Sequence, residues 1–223
     1  MAAFVAVAAV ALGLGAGDDH VASAGEQATP QHSHEALASA AIHTKAGHAF
    51  QDEMRKLWED HVTWTRLAIV SFVDDLDDLD PTVARLIRNQ SDIGNAIRPF
   101  YGKQAAARLT ALLEGHINGA VELLTAAKAG DQAGVERESA EWYRNGNQIA
   151  DFLSAANRDN WPRKTMRSMM KKHLDDTLLE ATQRLQGDHV AEVRTYDHIH
   201  DHILKMADAL SSGIIAQFPE KFE

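Results

Sequence analysis

From Phe50 onward, apolar residues return every three or four positions, and only Pro81, Pro99, Pro162 and Pro219 break the run. A strand buried on one face needs alternation with a period of two, and no segment sustains it. The chain is therefore confined to amphipathic helices. The breakers divide the body into six: 52–73, 81–97, 104–129, 132–156, 162–186 and 189–214. The acidic turn DDLDDLDP ends the first, and Pro81 opens the second. PFYG reads as a turn, Gly130 as a C-cap and Gly187-Asp188 as a tight break. Short connections make the expected fold all-α, an antiparallel bundle of about five to six helices with a four-helix-bundle-like core, over residues 51–218.

The second helix carries an unusual polar set, Arg85, Arg88, Asn89, Asp92 and Asn95. Together they supply donors and acceptors enough to satisfy one another or a partner helix, so this face is expected to be buried against the bundle, the alternative being an ordinary solvated helix face.

The beginning of the chain reads differently. MAAFVAVAAVALGLGAG is an apolar run too short for a convincing membrane span, and VASAG places Ala22 and Ala24 where signal peptidase prefers small residues. Residues 1–24 are read as a secretory signal cleaved after Ala24, which makes the protein secreted or extracytoplasmic. No Lys or Arg precedes the apolar run, so the alternatives are a true start upstream or an uncleaved anchor, the one membrane contact the sequence suggests. Residues 25–50 read as a flexible tether outside the packed body. It carries Pro30, His32, His34, His43 and His48, with His20 just before the cleavage point. Such a tract either collects transition metals or is a solvated linker with incidental histidines.

With 22 basic against 32 acidic side chains, the formal charge of -10 argues against nucleic acid or an anionic membrane as the main partner. The absence of Cys excludes disulfides, thiolate metal sites and cysteine catalysis.

The body places histidines where its pattern asks for leucines. In LWEDHVTWTR, His61 falls in the middle of the apolar stripe of Met54, Trp58, Thr65 and Phe72. His116 does the same among Leu109, Leu112, Leu113, Ala120 and Leu123. His173 is flanked by Met166, Met169, Met170 and Thr177, and His202 lies at the edge of its stripe. Each stands roughly ten to fourteen residues into its helix, so in an antiparallel bundle all four lie near one level.

Four inward imidazoles at one level suit a shared transition metal, Zn, Cu or Fe, with Glu180, Thr177 and Thr65 as hydrogen-bond partners behind the ligands. The alternative is a polar network of the imidazoles themselves or of bound water. Arg184, one turn beyond Glu180, is its expected ion-pair partner. Haem is a weaker reading, since no CxxCH exists. The Glu-x-x-His pair of di-iron bundles is absent, because Glu59 and Glu114 precede their histidines by two residues and face away from them. No nucleophile elbow or nucleotide loop is present in a usable context.

LWEDHVTWTR, RLIRNQSDIGNAIRPFYG, LLEGHINGAVELLTAAKAGD and YDHIHDHILKMADALSSGI together resemble a widespread group of small helical bacterial proteins with no assigned activity. The likeness covers about residues 57–218, and positions Trp58, His61, Arg66, Arg85, Asn89, His116, Trp142, His173 and Asp197 carry it. It implies one helical domain and transfers no catalytic residue. The functional expectation is an exported bundle that binds or stores a metal ion. A metal- or haem-dependent redox enzyme and a structural or sensory bundle with a metal-free polar core are the alternatives.

Overall fold

Thr44 starts the first helix: its Oγ1 accepts from Gly47 N at 2.9 Å, satisfying one of the amides left open at a helix N-terminus. The structure is a computed structural model that describes Leu37 and residues 39–223. Helix α1 spans Lys45–Val73, α2 Leu79–Ala129, α3 Gln132–Ala156, α4 Arg163–Gln186 and α5 His189–Gln217, followed by a 3₁₀ turn at Pro219–Lys221. Among the described residues there is no strand, and no helix is long and apolar enough to cross a membrane. The expectation of an all-α bundle holds.

Helix α2 is a hairpin rather than a rod. Pro99 removes a backbone donor, and Gly102 takes the left-handed conformation (φ 83°) that only glycine adopts cheaply. Beyond it the chain folds back. Gly94 on the outgoing arm lies so close to Thr110 and Ala106 on the returning arm that a side chain there would collide with them. The two arms, 79–101 and 103–129, are the second and third helices expected from sequence. Each helix packs against its neighbours along the chain, and α5 returns to pack on α1, closing the ring.

The core runs the length of this ring, from Met54, Trp58 and Val62 on α1 to Ile203, Ile214 and Ile215 on α5. The Trp161 indole packs so close to Gly213 that a Cβ there would collide with it, and it donates from Nε1 to Ala209 O at 3.1 Å. At the same end Phe50, Phe100 and Phe222 form an aromatic cluster with centroids 5.1–5.4 Å apart.

Two expectations need correction. The tether does not extend to residue 50: α1 begins at Lys45, and Ala41, Gly47 and Phe50 are buried. Thr44 Oγ1 also donates to Phe222 O at 2.6 Å, tying this segment to the far end of the chain. A lone Phe among small residues reads as linker until its aromatic partners, distant in sequence, are known. His43 and His48 are exposed here, whereas residues 1–36, with His20, His32, His34 and the expected signal sequence, lie outside the described residues.

The polar face of the first α2 arm is mostly not buried. Arg88 and Asn95 are exposed, Asp92 is half-buried, and Arg85 is half-buried against Asp60 at 3.3 Å and the Trp64 ring. Asn89 alone of that set is enclosed, together with Gln90, because these two fall on the Leu86–Ile93–Ile97 stripe that faces inward.

Candidate functional site: a buried histidine cluster

The apolar stripes of α1, the returning arm of α2 and α4 converge at mid-height, and the structure brings His61, His116 and His173 together there. Their relative exposures are 2%, 4% and 4%. Ring centroids of His61 and His173 are 5.7 Å apart, and those of His116 and His173 are 6.2 Å apart. His116 stacks on Trp142 at 5.0 Å, and Trp58 meets His61 edge-on at 5.7 Å.

Hydrogen-bond partners fix the proton positions on two rings. Asn145 Nδ2 donates to Leu112 O at 3.1 Å, which turns its Oδ1 toward His116 Nδ1, also at 3.1 Å. That oxygen only accepts, so Nδ1 carries the hydrogen and Nε2 keeps a bare lone pair. On α5, His202 Nε2 lies 2.9 Å from Met169 O, a carbonyl, so here Nε2 donates and Nδ1 holds the lone pair. His61 Nδ1 and His173 Nδ1 are buried with no hydrogen-bond partner, as are Trp58 Nε1 and Gln90 Oε1 nearby on the same stripes. Leaving such atoms unsatisfied costs about 1–3 kcal/mol each.

Electrostatics keep the rings neutral. Burial, reinforced by His116, lowers the His61 pKa to about 3, although the Gln90 and Asn89 amides beside it oppose the shift. Burial lowers His116 to about 4 against the help of Asn145. His173 falls well below the ordinary histidine range, first through burial and then through His61, His116 and His202.

The remaining expected residues act differently. Thr65 and Thr177 each donate to the backbone carbonyl one turn back, to His61 O at 2.7 Å and His173 O at 2.8 Å, so they bind the helix rather than a ring nitrogen. Glu180 is buried, but its partner is Arg66, at 2.7 Å, and not the expected Arg184. Arg66 also reaches Glu192 at 2.8 Å, while Arg184 pairs with Glu192 at 3.2 Å and with Asp74 at the surface turn. Burial, opposed by Arg66 and reinforced by Glu192, raises the Glu180 carboxyl to about 7.

Sequence reasoning missed Glu192 and Asn145, and it named Arg66 only among the positions that carry the resemblance, with no role. Glu192 precedes Tyr196 by four residues and is in phase with the α5 stripe, a signal that was readable. Asn145 gave none, since its role depends on a ring carried by another helix.

Among the described residues, no three His, Asp or Glu side chains stand ready to hold a metal ion as they are placed. No protein-family model matches the chain, and comparison with curated proteins and with solved structures finds no match.

Proposed function

We propose that the protein is a metal-binding bundle that holds one first-row divalent ion on His61, His116 and His173, with His202 completing the set. The observation that carries this reading is the pair of unpartnered Nδ1 atoms on His61 and His173, in a cluster with a third ring whose free lone pair is set by Asn145. Three imidazoles on one tetrahedral ion, with metal–nitrogen distances of about 2.0–2.1 Å, put ring centroids about 5 Å apart. The 5.7 and 6.2 Å separations exceed that by an amount that ring rotation and a small closure of the helices cover. An all-nitrogen set favours Zn or Cu(II), with Fe next. Near-complete burial of the rings favours retention of the ion over turnover, so the role is binding or storage.

A second reading has its own support. His116 and His202 already have partners, and no three ligands stand ready, which suits a metal-free polar core. Untagged protein prepared without chelator distinguishes the two. Metal binding requires about one equivalent of ion by elemental analysis, a tetrahedral Co(II) visible spectrum on reconstitution, and loss of both in His173→Leu. Substoichiometric metal, with no Co(II) spectrum and no thermal shift on adding Zn or Cu(II), leaves the metal-free core.

A further inference from the structure

Beside the histidine site, α1 and the two arms of α2 enclose a half-open cavity of about 450 Å³. This lies within the roughly 300–1,000 Å³ typical of small-molecule sites. Phe72, Val83, Leu86, Ile117 and Leu124 form its walls. Only two lining side chains are polar. Thr65 commits its hydroxyl hydrogen to His61 O, which leaves Asp80 as the one group free to meet a ligand's charge.

The surroundings set the sign of that charge. Asp80 has no ion-pair partner within 4.0 Å among the described residues, whereas Asp74 pairs with Arg184, Asp75 pairs with Lys128 and Asp78 accepts from the Ser71 hydroxyl. Asp80 is the one charged residue of the lining, and Lys128, the cation over the Phe72 ring, is itself paired with Asp75. Water inside such walls makes few hydrogen bonds, so an apolar body displaces it favourably. An anionic head meets repulsion at the rim, and a cationic head meets Asp80.

We propose that this cavity binds a small apolar molecule bearing a single positive charge, its body against Phe72, Val83 and Ile117 and its cation at Asp80. No imidazole lines the cavity, although Thr65 and Ile117 adjoin His61 and His116, and the proposal does not rest on the metal reading.

Three probes with one eight-carbon chain test it by calorimetry at low ionic strength: octyltrimethylammonium, octanol and octanoate. The ammonium should bind saturably with Kd on the order of 1 mM or tighter, and octanoate about tenfold more weakly or worse. Asp80→Asn should weaken the ammonium about three- to fivefold, the range of an exposed ion pair, and leave octanol unchanged. Val83→Trp and Ala120→Trp each fill the cavity and should abolish binding of all three while helical circular dichroism persists. Methyl chemical shifts of Val83 and Ile117 in the unaltered protein report the location even where a variant fails to fold. Absence of saturable ammonium binding, octanoate binding as tightly as the ammonium, or shifts confined to other residues overturns the proposal.

Discussion

The rings of His61 and His173 lie with centroids 5.7 Å apart in the bundle interior, tilted by 50° to each other, and in each the Nδ1 meets no hydrogen-bond partner. His116, beside them, is held by Asn145 and stacked on Trp142. Similar placement has produced unlike energetic situations, and substitution exposes the difference. His61→Leu removes an unsatisfied nitrogen, so the metal-free protein should lose no more than about 0.5 kcal/mol and can gain stability. His116→Leu strands the Asn145 oxygen and should cost about 1–3 kcal/mol. Urea unfolding of both variants in chelator decides it, and equal losses would show that the two rings are equivalently satisfied.

Acid should destabilise the metal-free protein well above the pH at which its buried histidines protonate. In the unfolded chain each takes up a proton near 6.5, but His61 does so in the fold only near 3 and His116 near 4, with His173 also lowered. The unfolded state then binds more protons, and stability falls with falling pH by about 1.4 kcal/mol per unit for each ring. Glu180 acts oppositely between its ordinary 4.5 and about 7, because there the folded state holds the extra proton. For these four groups the net slope grows to about two protons between pH 6.5 and 4.5 and does not steepen below that, because His116 begins to take up its proton in the fold near 4 as the Glu180 difference disappears. Chemical denaturation at successive pH values measures it. His173→Gln should reduce the slope by one proton, and a flat profile would contradict the neutral buried state of these rings.

Arg66 joins two carboxylates that are almost wholly enclosed, Glu180 and Glu192. Arg66→Met should cost about 3–5 kcal/mol, since it strands buried charge. Glu180→Gln should cost much less, because burial already raises that carboxyl to about 7. Comparable losses in the two variants by thermal unfolding at pH 7 would mean that Glu180 is fully ionised.

Removing all residues before Gln51 should lower the melting temperature by about 5–10 °C. The truncation exposes the space left by Phe50 against Phe100 and Phe222, and it deletes the Thr44 cap and its bond to Phe222 O. Thermal melts followed by circular dichroism test this, and an unchanged midpoint would return the segment to the status of a tether.

The sequence by itself determined the helices, their breaks and the faces that turn inward. These are local consequences of a 3.6-residue repeat and of Pro and Gly backbone geometry, which is why Gly102 and Gly187 mark reversals readable in advance. Phase and depth likewise placed His61, His116 and His173 inside and level. Tertiary structure alone decided their partners. Arg66 chooses Glu180 across 114 positions, Thr44 reaches Phe222 across 178, and Asn145 sets the His116 proton from another helix. Periodicity says that a side chain is buried. Which atom it meets depends on the angle and register at which helices pack, and on one partner excluding another from a shared volume.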